Sequence, residues 1–181
     1  MRIIGGTFRG HRLRAPKGPT RPTTDRTREA IFNLLQSRVA LHDVRVLDLF
    51  AGSGALGLEA LSRGAASATF VEQGGAALGT IRQNADALGV AARCSLHRAD
   101  ALRFLAVEPA MRYDLVLADP PYDLDALERL PDLILPHVAA EGLLVLEHGD
   151  NVGFDAHPAL EMSRAYGQTV VSLFRPVVES A

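Results

Sequence analysis

The alternation of strand-like and helix-like segments after residue 43 constrains the fold more than any other feature of the sequence. Short apolar runs typical of buried strands alternate there with longer stretches of helical periodicity. This order predicts a mostly parallel sheet with helices on both faces, because parallel strands need helical crossovers. We predict strands over 44–50, 68–72, 92–97, 113–118 and 143–147, and helices over 25–37, 55–63, 75–88, 101–107 and, interrupted by prolines, 124–138.

Two further β-like runs, 160–166 and 169–174, meet at Gly167-Gln168. That spacing favours a hairpin, so at least one closing strand should run antiparallel. With 181 residues the chain can form one α/β core but not two full domains. We therefore predict an α/β fold with a seven-stranded sheet over 25–181, preceded by a basic arm or hairpin over 1–24.

Several classes of protein are disfavoured by composition. The sequence has no apolar run approaching the ~18 residues that a membrane span needs, and no apolar signal-peptide stretch follows Met1. Its single cysteine, Cys94, excludes an internal disulfide and a cysteine-based zinc site. The six histidines show no ligand spacing. We expect a cytoplasmic protein that binds neither a metal ion nor a membrane.

Basic residues are concentrated at the N-terminus. Residues 1–28 contain eight of the 19 basic residues but one of the 21 acidic residues. A basic arm on an acidic body favours a phosphate-rich partner. Charge alone leaves a solvated, partly disordered tail as the alternative. The candidate phosphate contacts are Arg2, Arg9, Arg12, Arg14, Arg21, Arg26 and Arg28.

A glycine-rich turn follows the first predicted strand, and its candidate ligand contacts are Asp48, Phe50, Ala51, Gly52, Ser53 and Gly54. Glycines let the backbone approach a ligand closely, and the N-terminus of the following helix offers free N–H groups. Glu72 lies at the end of the next strand, where it can accept hydrogen bonds from two ribose hydroxyls. The pattern predicts a site for a nucleoside cofactor.

The identity of that cofactor has two interpretations. Gly52-x-Gly54-x-x-Gly57 also satisfies the dinucleotide fingerprint, which leaves NAD open. A sulfonium cofactor has no pyrophosphate and is positively charged at its amino acid end, which suits Asp48. After the third strand, Asp100 can accept from an adenine amino group and the Ala101 amide can reach a ring nitrogen. Asp100 can also cap the helix that follows it.

A turn of four residues follows the strand predicted over 113–118: Asp119, Pro120, Pro121 and Tyr122. Ligands bind at this end of strands in open α/β sheets. The two prolines remove backbone donors, so the carbonyls of Asp119 and Pro120 can act as acceptors for an amino group. Tyr122 offers a face for a flat base. We predict transfer to an amino nitrogen of a planar heterocycle; a plain tight turn is the structural alternative.

Together these segments resemble the class I S-adenosylmethionine-dependent methyltransferases. More narrowly, they resemble the bacterial 16S ribosomal RNA guanine-N2 methyltransferases of the RsmD type. The resemblance covers nearly the whole chain and is carried by residues 2–10, 21–33, 48–60 and 119–122. The C-terminal hairpin fits the family more loosely, and we assign no site residue to it.

The resemblance implies a Rossmann-like class I fold and S-adenosylmethionine as the cofactor. It implies methylation of the exocyclic N2 of one guanine in 16S ribosomal RNA, within a small-subunit assembly particle. The base would be flipped out and stacked on Tyr122 while Asp119 and the Pro120 carbonyl hold its amino hydrogens. In-line displacement would follow, and we expect a monomer.

Other activities are compatible with the same residues. Adenine N6 of DNA or RNA, or a glutamine side chain, could be the methyl acceptor in an enzyme of the same mechanistic class. A compact chain with no target-recognition insertion makes sequence-specific DNA modification less attractive, and glutamine methylation usually has Asn at the position of Asp119. From other classes, an NAD-binding dehydrogenase and a non-catalytic RNA-binding assembly factor stay open.

Overall fold

The computed structural model describes residues 1–16, 25–107 and 111–177. Its strands are β1 (Arg45–Leu49), β2 (Ser67–Glu72), β3 (Cys94–Arg98), β4 (Tyr113–Ala118), β5 (Val138–Gly149), β6 (Leu160–Tyr166) and β7 (Thr169–Phe174). Its α-helices are α1 (Asp25–Gln36), α2 (Ala55–Ser62), α3 (Gly75–Ala87), α4 (Ala101–Leu105) and α5 (Leu130–Ile134). Within these described ranges no helix is both long and apolar enough to cross a membrane.

The seven strands form one sheet in the order β3-β2-β1-β4-β5-β7-β6. Strands β1 to β5 are parallel to one another, whereas β7 runs antiparallel to both of its neighbours. The predicted Rossmann-like sheet with an antiparallel C-terminal strand is therefore confirmed. Strand order reverses between β1 and β4, which opens a crevice at their carboxyl ends.

The central strands are buried on both faces, which explains their continuous apolar character. Val46 packs into one hydrophobic cluster and the next residue, Leu47, into a second cluster on the opposite face. Leu117 and Ala118 of β4 divide in the same way. Because successive side chains of a strand point to opposite faces, helices are needed on both sides of the sheet.

Three predicted elements have different bounds in the structure. The third strand begins at Cys94 because a 3₁₀ turn occupies Ala91–Arg93. The helical region predicted over 124–138 is split into a 3₁₀ turn (Leu127–Arg129), α5 and a second 3₁₀ turn (Leu135–His137). Pro136 lies in that last turn and cannot donate the backbone hydrogen bond that a longer helix needs. Strand β5 begins five residues before the predicted 143–147 and ends two residues after it.

Residues 1–16 pack against the body of the protein. Ile3 is fully buried, and Arg2 and Arg12 form an antiparallel bridge. The buried carboxylate of Glu59 on α2 accepts hydrogen bonds from the backbone amides of Ile4 at 2.8 Å and Gly5 at 2.7 Å. A buried carboxylate needs such donors, so these contacts fix the path of the arm. The described part of the arm is not a loose tail.

Candidate functional site

A cavity of about 700 Å³ lies at the carboxyl edge of the sheet, where the strand order reverses. Its size is that of a typical small-molecule site. It brings together the whole 119–122 turn and eight of the nine residues predicted to contact a cofactor. The predicted residues that line it are Asp48, Phe50, Ala51, Gly52, Ser53, Glu72, Asp100, Ala101, Asp119, Pro120, Pro121 and Tyr122.

Glu72 shapes the loop between β1 and α2. One carboxylate oxygen accepts from the backbone amide of Gly52 at 2.9 Å, and the other accepts from that of Gly74 at 2.6 Å. Phe50 and Gly52 adopt left-handed backbone angles, with φ of 57° and 52°. Each carboxylate oxygen can accept a second hydrogen bond, so Glu72 can hold the loop and a ligand hydroxyl together.

Gly54 is the predicted cofactor residue that the cavity does not include. It has a φ of 76° and precedes α2, where an added Cβ would lie 3.1 Å from Ile81 of α3. At Gly57 an added Cβ would collide with the ring of Phe70. These two glycines let α2 pack closely on its neighbours. The spacing that also fits a dinucleotide fingerprint therefore has a packing explanation here.

Asp48 places a buried carboxyl group beneath the cavity, and its Oδ2 accepts from the Gly57 amide at 2.9 Å. Burial raises the pKa of Asp48 well above its usual value. The Gly57 hydrogen bond lowers that pKa, and the negative charges of Asp119 and Glu72 raise it again. Asp48 therefore lies close enough to Asp119 and Glu72 for their charges to act on it.

The charged side chains that line the cavity fit a cationic nucleoside cofactor. The lining acids are Asp48, Glu72, Asp100, Asp119 and Glu147, and no Lys, Arg or His lines the described part of the cavity. A negative wall attracts a sulfonium or ammonium group and repels a pyrophosphate. Asp100 also caps α4, since its side chain accepts from the Arg103 amide at 3.0 Å. In the described ranges, no group of three or more His, Cys, Asp or Glu residues could hold a metal ion.

Comparison with known proteins decides the family. The family model described as "Conserved hypothetical protein 95" matches residues 1–175. Ribosomal RNA small subunit methyltransferase D of Escherichia coli K12 is 38% identical, over 97% of this chain and 89% of that protein. The chain belongs to the RsmD family. It is a methyltransferase of this family, as the resemblance in its sequence predicted.

Two further relatives match this chain over different lengths. A solved structure of a hypothetical protein from Thermus thermophilus is 34% identical and superimposes with a TM-score of 0.84. That match covers 97% of this chain and 99% of the other. A Haemophilus influenzae protein, also called ribosomal RNA small subunit methyltransferase D, is 33% identical over 74% of this chain and 70% of its own length.

Tyr122 of this RsmD-family chain is held by residues that the sequence analysis missed. Its hydroxyl lies 2.8 Å from Thr169 Oγ1 and 3.4 Å from Glu147 Oε1. Both partners line the cavity. Glu147 lies near the carboxyl end of β5, so the rule that ligands bind at the carboxyl ends of strands could have found it. Thr169 reaches the same edge because β7 is antiparallel and begins there.

The N-terminal arm also contributes to the cavity, through Met1, Ala15 and Pro16, and Thr27 of α1 does so as well. Asn84 of α3 links this arm to the cofactor loop, because its Nδ2 donates to the carbonyls of Arg14 and Ser53. The arm has little periodicity and no recognisable ligand motif, so its sequence carried no signal for this role.

Five of the predicted phosphate contacts in the arm and α1 are exposed: Arg2, Arg9, Arg12, Arg14 and Arg26. Arg21 lies outside the described residues. The prediction for Arg28 was wrong, because its side chain is fully buried. It donates to Asp25 Oδ1 at 2.7 Å and to the Arg2 carbonyl at 2.6 Å, and it lies 3.9 Å from Glu59. Arg28 therefore ties α1 to the arm and α2.

Proposed function

We propose that this RsmD-family methyltransferase transfers a methyl group from S-adenosylmethionine to the exocyclic N2 of one guanine in 16S ribosomal RNA. The observation that carries the proposal is a single cavity lined by both the acidic cofactor loops and the 119–122 turn. Two curated relatives named as ribosomal RNA methyltransferases support the choice of RNA. We further propose that the enzyme is a cytoplasmic monomer that acts on a partly assembled small subunit.

The chain's own residues would divide the cofactor among them. Asp48 would face its cationic amino acid end, Glu72 its ribose hydroxyls, and Asp100 with the Ala101 amide its adenine. The backbone at Phe50, Ala51, Gly52 and Ser53 would lie against it, with Gly54 supporting the loop from below. When bound, S-adenosylmethionine supplies a methyl group that its positively charged sulfur has already activated.

The 119–122 turn would orient the acceptor. The Asp119 carboxylate and the Pro120 carbonyl accept the two amino hydrogens, which turns the nitrogen lone pair toward the methyl donor. Pro120 and Pro121 remove competing backbone donors and stiffen the turn. Because the nitrogen becomes cationic on methylation, Asp119 needs to accept a proton only late. Positioning therefore contributes most of the rate.

Recognition of the RNA would use two surfaces. A guanine flipped out of its helix would stack on Tyr122, which lines the cavity. The exposed arginines Arg2, Arg9, Arg12, Arg14 and Arg26 would contact phosphates, and Arg21 is proposed with them on charge alone. Phosphate contacts of this kind release counterions, so binding should weaken steeply as salt is added.

Incubation with hypomethylated small ribosomal particles and labelled S-adenosylmethionine tests the proposal. Nucleoside mass spectrometry should find N2-methylguanosine as the single labelled product. Labelled N6-methyladenosine, or label in a protein glutamine, would replace the proposed acceptor by one of its competitors. Calorimetric titration should detect S-adenosylmethionine but not NAD, whereas NAD binding alone would overturn the assignment of the cofactor.

A further inference from the structure

We infer that Thr169 and Gly149 are positioning residues that fix the ring of Tyr122 for the substrate base. The inference rests on the proposed function, in which that base stacks on Tyr122. It assigns a role in the reaction to β7, the C-terminal strand in which the sequence pattern marked no site.

The hydroxyl of Tyr122 is anchored mainly by Thr169. Their oxygens are 2.8 Å apart, the usual length of an O–H···O hydrogen bond, whereas Glu147 Oε1 is at 3.4 Å. Thr169 is the first residue of β7, and its side chain is buried. A buried strand residue has little freedom to move, so this contact fixes one end of the ring.

The body of the ring lies against Gly149. A Cβ added at that glycine would come within 3.1 Å of Tyr122 Cδ2 and 3.5 Å of its Cγ. The same Cβ would lie 2.5 Å from Asn151 Oδ1, so a larger residue would crowd both that side chain and the ring. Gly149 and Thr169 are also register partners in the antiparallel pair of β5 and β7. One paired position of the sheet thus supports the ring and binds its hydroxyl.

This arrangement orients the stacking surface before the base arrives. One side of the ring lies against Gly149, and in the proposed function the base would stack on the opposite side. A stacking partner that turns freely would have to be ordered during binding, at a cost in rate. The Thr169 hydroxyl restricts rotation of the Tyr122 ring and does not contact the reacting atoms. It therefore acts through Tyr122 and not on the substrate directly.

A double-mutant cycle separates this role from a general effect on folding. Thr169→Val keeps the volume but removes the hydroxyl, and we expect kcat/KM for the RNA particle to fall about tenfold. Tyr122→Phe should lose at least as much, because it also removes the 3.4 Å contact with Glu147. The double variant should lose no more than Tyr122→Phe alone, because the hydrogen bond between Tyr122 and Thr169 is already absent there. Thr169→Ser should restore most of the loss. Additive losses in the double variant, or a Thr169→Val enzyme with the parental kcat/KM, would overturn the inference.

Two controls complete the kinetic test. Thr80→Val alters a threonine on α3 whose hydroxyl donates to the Ala76 carbonyl of its own helix at 3.1 Å, and it should leave kcat/KM unchanged. Calorimetry should find the affinity of Thr169→Val for S-adenosylmethionine within about twofold of the parent, since the hydroxyl is bonded to Tyr122 and not to the cofactor loop. If Thr169→Val does not fold, Thr169→Ala takes its place in the cycle.

A spectroscopic measurement tests the contact without turnover. The chain has three tyrosines, so protein labelled with ¹³C at tyrosine Cζ should give three signals. Tyr122→Phe identifies one of them by deleting it. Thr169→Val should shift that signal more than the signal of Tyr166, which is the register partner of Thr169 in β6; an unmoved Tyr122 signal would overturn the inference. Failure of the proposed function gives a separate result: the parental enzyme would then form no N2-methylguanosine in the RNA.

Discussion

Asn84 and Arg14 exchange two hydrogen bonds, much as paired strand residues do. Asn84 Oδ1 accepts from the Arg14 backbone amide at 2.8 Å, and Asn84 Nδ2 donates to the Arg14 carbonyl at 3.1 Å. The same Nδ2 donates to the carbonyl of Ser53 in the cofactor loop at 3.2 Å. Asn84 is buried, so one side chain ties the N-terminal arm to the loop that lines the cavity.

Asn84→Ala should therefore weaken both stability and cofactor binding. Three partly buried backbone groups lose a partner, and we expect the free energy of unfolding in urea titrations to fall by about 1–2 kcal/mol. Since the Ser53 carbonyl is then unsupported, the affinity for S-adenosylmethionine should fall several-fold by calorimetry. Gln83→Ala is the matched control, because Gln83 Oε1 accepts from the exposed guanidinium of Arg14 at 3.0 Å and not from its backbone. Parental cofactor affinity in Asn84→Ala would show that the loop does not depend on this tie.

Asp48→Asn should stabilise the cofactor-free protein while it weakens cofactor binding. The raised pKa of Asp48 means that its charged form is unfavourable in the folded state. An Asn keeps an acceptor for the Gly57 amide and carries no charge. At pH 7 we expect the thermal midpoint to rise by about 2–4 °C, the change that ~1 kcal/mol produces in a chain of this size. The affinity for S-adenosylmethionine should fall about tenfold, because a cation loses a nearby negative charge.

The pH dependence of that stabilisation has a defined sign. Because the folded pKa of Asp48 lies above the ordinary value of 3.8, protonated Asp48 contributes stability that is complete below pH 3.8. This contribution is lost as the pH rises through the raised folded pKa. The difference in thermal midpoint between Asp48→Asn and the parent should therefore be small near pH 4 and should grow toward pH 7. A difference that is constant across this range would assign the stabilisation to another cause.

The sequence identified the residues that line the cavity wherever such a residue lies at the carboxyl end of a parallel strand. Asp48, Glu72, Asp100 and Asp119 all belong to such strand ends, and all four line the cavity. Thr169 was missed because it stands at the start of a strand, and only the antiparallel direction of β7 brings it to the same edge. The lining residues of the arm were missed because their position depends on tertiary contacts with Glu59 and Asn84.

Arg28 shows that charge alone can mislead a prediction of surface contacts. It was grouped with its basic neighbours, yet it lies three residues before Ile31 and four before Phe32, on the buried face of α1. Replacing it should therefore act on folding. We expect urea titrations to find Arg28→Met destabilised by about 1–3 kcal/mol, because the Arg2 carbonyl loses its donor, whereas Glu59 keeps its ion pair with Arg63 at 2.8 Å.

Arg12→Ala is the matched comparison for Arg28→Met, since Arg12 is exposed on the arm. It should leave the thermal midpoint within about 1 °C of the parent, as surface substitutions usually do. Its binding to the RNA particle should weaken, and the slope of log affinity against log salt should fall by about one unit. An unchanged salt slope would remove Arg12 from the proposed phosphate contacts.

Asp119→Ala should separate catalysis from cofactor binding. Removal of the carboxylate leaves the acceptor amine poorly oriented, so we expect single-turnover methylation to slow by at least about 100-fold. The affinity for S-adenosylmethionine should stay within a few-fold, because Asp48 and Glu72 still provide negative charge. Asp123→Ala is the control, since Asp123 is an exposed acid one residue after the turn. A near-parental rate in Asp119→Ala would refute the orienting role, whereas an affinity loss as large as the rate loss would make Asp119 a residue that holds the cofactor.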